Sequence, residues 1–302
     1  MEDLQKLACL SSKQTVTLFY SAADEQHNQA VILKELLTNP SSSSAEIPRR
    51  ATMSAIASQT TYLLKLQNRC DVAERTMAFQ FEKPEGFTFK AGQFIDMTLI
   101  NPSQTDAEGN GRAFSIASAP DEGRLLVATR MRDTAFKREL ASMPIGTHVK
   151  VEGPFGNLVL HDDRTRAAVF LAGGIGITPF RSILLQIIHE RLQYSVFCFF
   201  ANRRPEDAPF LAELKAMQER YLQRPYWITI VPTMSHMSQS AHSWDGETGR
   251  IDPSMLARHL KSAASPIYYL AGPPEMVKGL HTMLNEAGVG DDDIRTEEFS
   301  GY

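Results

Sequence analysis

From about residue 54 to 160 the chain alternates apolar and polar positions in short runs. Tyr62-Leu63-Leu64-Lys65-Leu66, Thr76-Met77-Ala78-Phe79-Gln80-Phe81, Gln93-Phe94-Ile95-Asp96-Met97-Thr98-Leu99, Leu125-Leu126-Val127-Ala128-Thr129 and His148-Val149-Lys150-Val151 read as strands. Turn chemistry such as Pro84-Glu85-Gly86 and Asp121-Glu122-Gly123 separates them, and the spacing predicts a small antiparallel β-barrel. After Asp162-Asp163 the period changes. Ala167-Ala168-Val169-Phe170-Leu171 is continuously apolar, as in a strand buried on both faces. A Gly-rich turn and a helix over about 179–192 follow, then a run at Ser195–Phe200 and a helix at Pro209–Arg220. Trp227–Val231 and Ile267–Leu270 are two further strands, so this half predicts an α/β doubly wound parallel sheet.

The first fifty residues differ. Val16–Tyr20 suits a short strand, Gln29–Leu37 a helix, and Asn39-Pro40-Ser41-Ser42-Ser43-Ser44 a linker. The division expected is an extension at 1–53, a barrel at 54–162 and an α/β unit at 163–302.

Composition narrows the chemistry. With 31 Lys+Arg against 35 Asp+Glu the net charge is −4, which offers no basic field for nucleic acid. Three cysteines, at 9, 70 and 198, make no disulfide framework, and no C-x-x-C opens a metal or cluster site. A reducing cytoplasm is the expected compartment. No apolar stretch is long enough for a membrane helix, and HExxH, GxxxxGK[ST] and GxSxG are absent.

Two turns and one barrel segment carry candidate chemistry. Gly173-Gly174-Ile175-Gly176-Ile177-Thr178-Pro179 joins the first strand of the second half to its helix, where glycines admit a phosphate and the helix start offers free N–H groups. Thr178 is placed to cap that helix, and Pro179 suits its first turn. The usual G-x-G-x-x-G fails at Pro179, and Asn202-Arg203-Arg204 stands where an acid would hold a ribose. Gly272-Pro273-Pro274-Glu275-Met276 follows another buried strand at the same predicted sheet edge. In the barrel, Arg112-Ala113-Phe114-Ser115 offers a guanidinium for phosphate, a ring for a flat heterocycle and a hydroxyl for a ring nitrogen. Each turn alone also reads as ordinary structure.

Taken in order, with Gly153-Pro154-Phe155-Gly156 between them, these motifs resemble the ferredoxin–NADP reductase superfamily over residues 54–302. The resemblance implies an FAD-binding barrel followed by an NAD(P)-binding α/β unit, with FMN the lesser choice. It implies that Arg112, with Ala113 beside it, holds the flavin pyrophosphate, that Phe114 packs on the isoalloxazine and that Ser115 bonds flavin N5. Thr129 and Arg130 match the strand that touches the flavin's dinucleotide part. The turn through Phe136 and Lys137 would cradle the pyrophosphate, with Lys137 replacing the family's serine. Gly173, Gly174, Gly176 and Thr178 would bind the pyridine nucleotide, and Gly272, Pro273 and Met276 would flank it. Ala271 stands where many relatives have cysteine. The ending Thr296-Glu297-Glu298-Phe299-Ser300-Gly301-Tyr302 is similar to the family's Glu-x-aromatic tail, which implicates Glu298 and leaves Phe299 and Tyr302 as rivals to cover the flavin.

The activity so implied is hydride transfer from NADPH or NADH to FAD, then electron release. Asn202 and Arg203 favour NADPH. Without a fused iron–sulfur module the electrons pass to a separate acceptor, such as a ferredoxin or an oxygenase component. Free flavin or quinone reduction is one alternative, and a non-catalytic nucleotide-sensing or docking subunit is another.

Overall fold

The computed structural model describes residues 61–221, 227–261, 263 and 265–299. The readings made at 1–53 and at Tyr302 lie outside these residues.

β1 (Thr61–Ala73), β2 (Thr76–Glu82), β3 (Phe94–Leu99), β4 (Gly111–Ser115), β5 (Arg124–Arg130) and β6 (His148–Phe155) form one antiparallel sheet, in the order β4-β3-β6-β1-β2-β5. Strand alternation sets its inside. Leu64 and Leu66 are buried while Leu63 and Lys65 face out. The two edges meet just past β4, where the Ile116 N–H reaches the Gln93 carbonyl and the Ala117 N–H reaches that of Leu126. That contact closes the sheet into the expected barrel. A helix, α1 (Ala135–Ser142), follows β5; Thr134 caps it by accepting the Lys137 N–H, and Phe136 and Leu140 enter the barrel core.

The second sheet takes β7 (Ala168–Gly173), β8 (Ser195–Asn202), β9 (Trp227–Met234), β10 (Glu247–Thr248), β11 (Ile267–Gly272) and β12 (Ile294–Glu298). Its order is β10-β9-β8-β7-β11-β12 and every pair is parallel. Between them run α2 (Ile177–His189), α3 (Leu211–Tyr221), α4 (Pro253–His259) and α5 (Pro274–Glu286). All six residues of β7 are buried, as its apolar run predicts, because helices cover both faces. Phe170 faces α2, its ring stacked on Phe180 at 4.7 Å; Val169 and Leu171 face α4 and α5. Strand order reverses between β7 and β11. Open α/β sheets bind ligands at the carboxyl side of such a point.

The same α2 holds the two sheets together. β5 is buried on both faces because Leu125 and Val127 fill the barrel while Leu126 and Ala128 join the α2 core. Arg181 on α2 is 5% exposed; it donates to the Ala117 carbonyl at 2.5 Å and grips Glu213 with two nitrogens. Ser182 donates to the Ser118 carbonyl at 2.6 Å. A second tie is ionic. Asp207, 4% exposed, accepts from Arg204 and from Arg130 of β5, and Arg204 also reaches Glu74.

The segment joining the sheets is anchored at His161. Its backbone N–H and Nδ1 meet the Tyr269 hydroxyl, Nε2 lies 3.2 Å from the Arg166 carbonyl, and the Tyr194 hydroxyl donates to the His161 carbonyl. Burial, with the charges of Arg295 and Arg166, holds its pKa below the usual histidine value.

Among the described residues no helix is long and apolar enough to cross a membrane.

Candidate functional site

The ends of β7 and β11 are built to interlock. A Cβ on Gly176 would lie 2.2 Å from the Ala271 carbonyl oxygen, so only glycine lets the two turns approach. A Cβ on Gly173 would meet the Met276 sulfur at 2.3 Å and Pro273 at 3.0 Å. Met276 and Pro273 thus pack on Gly173 while each stays partly exposed. Gly174 takes a positive φ of 52°. α2 begins at Ile177 without a side-chain cap. Thr178, expected as the cap, instead sits inside the first turn and donates to the Ile175 carbonyl at 2.9 Å. Proline at 179, in place of the third glycine, is accommodated because that first turn needs no amide donor from it.

On the strand next to β7, Asn202 ends β8. It is 8% exposed, yet neither amide atom has a hydrogen-bond partner. A buried amide left unpaired costs free energy until something bonds it. Beside it, the Ser235 and His236 N–H groups bond the carbonyls of Asn202 and Arg203, and the Ser235 hydroxyl lies 2.8 Å from His236 Nδ1. Arg203 is exposed, whereas Arg204 is taken up by Asp207 and Glu74.

From the barrel side, Ser115 ends β4 and donates to Glu297 Oε1 at 2.8 Å, across 182 residues of sequence. Burial pushes the Glu297 carboxyl up to about 7, against the opposing effect of the serine bond. Strand alternation decides which glutamate takes part. Glu297 of β12 turns inward, and its neighbour Glu298, the acid expected here, is exposed on the other side. The Glu-x-Phe spacing of Glu297 and Phe299 was the signal available in the sequence. Phe299 is half-buried and its N–H donates to the Gly272 carbonyl at 2.9 Å, which sets the ring beside the β11 turn.

The remaining barrel residues divide. Phe114 is 6% exposed and packs against Phe136 in the core, 5.9 Å between centroids, rather than on an open surface. Thr129 is buried, and Arg130 is committed to Asp207 at 3.2 Å. Ala113 is exposed. Arg112, with its guanidinium 5.1 Å from the Phe136 ring centre, and Lys137 lie at the N-terminal turn of α1. Burial, then the charges of Arg132 and Arg112, push Lys137 down to about 8.

The donor set fits a flavin nucleotide: two cations and a helix N-terminus for phosphates, and a hydroxyl at the end of β4 beside a carboxyl near neutrality. The orphaned Asn202 amide and the β7 turn fit a pyridine nucleotide.

The comparisons agree with this layout. The family model for the oxidoreductase NAD-binding domain matches residues 170–282. The chain is 27% identical over 233 residues to ferredoxin–NADP reductase B of Sorangium cellulosum, covering 74% of this chain and 91% of that one. It is 23% identical to terephthalate 1,2-dioxygenase reductase component 1 of a Comamonas species, covering 70% of this chain and 60% of that protein's length. The solved structure of a ferredoxin–NADP+ reductase from Neisseria gonorrhoeae, with bound FAD and NADP, shares the fold: TM-score 0.65, 24% identity, covering 79% of this chain and 98% of that one.

Proposed function

Because the chain belongs to the ferredoxin–NADP reductase superfamily, we propose that it is an FAD-dependent NAD(P)H oxidoreductase that delivers electrons to a separate acceptor. The Ser115–Glu297 bond carries the reading. It sets a hydroxyl from the barrel and a carboxyl from the α/β sheet together, near the strand-order reversal.

When bound, the flavin supplies the hydride-accepting N5 atom and can release electrons singly. The chain's residues do the rest. The α1 turn through Phe136, with Arg112 and Lys137, would hold the flavin's phosphates. Ser115 would bond the flavin ring and relay a proton from Glu297, which at about 7 is half protonated near neutral pH. Gly173, Gly174, Gly176, Gly272 and Asn202 would form the bed for the pyridine nucleotide. Phe299 would cover the flavin and yield to nicotinamide, excluding water in its absence. In this reading residues 54–162 are the flavin unit and 163–302 the nucleotide unit.

NADPH is the proposed coenzyme, because the exposed Arg203 beside Ser235 and His236 can bind a 2′-phosphate and β8 ends on Asn202 rather than on an acid that would hold the ribose. Arg203→Ala is expected to raise KM for NADPH about tenfold and leave NADH unaffected, roughly the loss of one charge-assisted hydrogen bond. A ferredoxin or oxygenase component is the proposed acceptor, in line with the names of the relatives. The proposed compartment is the cytoplasm, on the scattered thiols of Cys9, Cys70 and Cys198.

The test is anaerobic mixing of the flavin-loaded protein with NADPH or NADH. Rapid bleaching of the flavin band, followed by reoxidation by an added acceptor protein or dye, is expected. A protein that binds no flavin, or whose flavin is not reduced by either nucleotide, would sink the proposal.

A further inference from the structure

The loop from Ser103 to Gly111, between β3 and β4, is folded back over α1. The Ser103 N–H donates to Glu139 Oε2 at 3.1 Å and its hydroxyl to Oε1. Arg138 donates to Gln104 Oε1 at 3.2 and 2.8 Å. These ties carry Asp106 to the first turn of α1. There Asp106 Oδ1 accepts Arg112 Nη2 at 2.8 Å and the Glu108 N–H at 3.1 Å. Glu108 Oε2 lies 3.0 Å from the same nitrogen, and Nη1 is taken by the carbonyls of Glu108, Gly109 and Gly111. The loop therefore engages both terminal nitrogens of Arg112.

Asp106 is not equally satisfied. Arg112 is the main cause of its lowered pKa, and the Phe136 N–H in the first turn of α1 adds to it. The second carboxylate oxygen of Asp106, Oδ2, is buried without a hydrogen-bond partner. A carboxylate between a guanidinium and a helix N-terminus occupies the chemistry of a phosphate, with fewer oxygens. The cations around it exceed what the loop neutralises. Lys137, whose ammonium donates to the Arg130 carbonyl at 2.6 Å, feels Arg132 and Arg112, with only Glu108 opposing them.

We infer that Asp106 is an internal anion seated where a flavin phosphate binds, so that flavin uptake is an exchange of anions and the 103–111 loop sets flavin affinity. The inference rests on the flavin reading above. Asp106 must leave Arg112 for a phosphate to enter, and it returns when the flavin departs. The cofactor is then exchangeable, and Lys137, which the loop's hydrogen bonds leave alone, greets the incoming phosphate first.

The test uses the full-length chain freed of flavin and titrated with FAD by flavin fluorescence, with inorganic pyrophosphate as competitor. Asp106→Asn keeps the shape and removes the charge. If the closed loop is about 90% populated, its release lowers the apparent Kd for FAD about tenfold. Pyrophosphate should also compete more strongly in that variant. Glu139→Gln loosens the outer tie at the surface; it is expected to tighten FAD about threefold by the same relation, and decides the matter if Asp106→Asn does not fold. Unchanged or weaker FAD binding in the deciding variant overturns the inference, since Asp106 would then be organising Arg112 rather than blocking it. Failure of every form, wild type included, to bind FAD sinks the flavin reading itself.

Discussion

Replacing Glu297 by glutamine should flatten one part of the protein's pH–stability curve. Glu297 is held near pKa 7 by burial, against an ordinary 4.5. The folded state thus keeps a proton that the unfolded chain has already released. Stability from this group is fully present below pH 4.5 and is lost as pH rises through 7. Moving a carboxyl from 4.5 to about 7 is worth roughly 3 kcal/mol in all, of which about 2.5 falls between pH 5 and 8. Glutamine keeps the acceptor for Ser115 but cannot titrate. Urea unfolding of wild type and Glu297→Gln at pH 5, 6, 7 and 8 therefore gives a stability difference that shifts toward the variant by up to about 2.5 kcal/mol, other groups cancelling. A difference constant to within about 0.5 kcal/mol over that range would mean that the carboxyl is not raised, and the proton-relay role of the Ser115–Glu297 pair would go with it.

Two further outcomes are expected. Gly176→Ala puts a methyl group 2.2 Å from the Ala271 oxygen, so the β7 and β11 turns must part; a loss of about 2–4 kcal/mol in urea unfolding, with weaker NADPH binding, is expected, and a near-neutral variant would refute the interlock. His161 has its pKa lowered, so its contribution is fully present above about 6.5 and is lost as pH falls toward the folded value. His161→Gln should remove that acid-side slope when its stability is compared with wild type from pH 7 to 5, and an unchanged slope would count against the neutral histidine.

The alternation of Leu64 and Leu66, the unbroken run of β7 and the switch of period at Asp162-Asp163 were readable because side-chain periodicity is local. β4 was seen as a motif and not as a strand, since its five residues carry Gly, Arg and Ser rather than a hydrophobic alternation. Family spacing pointed to Ser115, Gly173 and Phe299, and the structure puts each of them at or just past a strand end. A side chain's direction depends on strand pairing, which the sequence does not show. β12 lies parallel to β11 in a register that pairs Glu297 with Ala271, and that register turns Glu297 rather than Glu298 toward Ser115. Arg130 was assigned to the flavin because nothing local announces Asp207, 77 residues away. Arg112 is latched by the preceding loop through bonds to Asp106 and Glu108 that no local sequence pattern announces.

The ties between the barrel and the α/β sheet also determine how a reductant can arrive. Arg181 and Ser182 bolt α2 to the barrel, and Asp207 clamps Arg130 and Arg204 beneath them. Prising the two halves apart would break buried ionic and hydrogen bonds together. On the proposed function, a visiting dinucleotide would approach two sheets tied at one spacing and would have to displace the half-buried ring of Phe299. The rate of nucleotide entry would then depend on displacing that ring rather than on parting the two sheets.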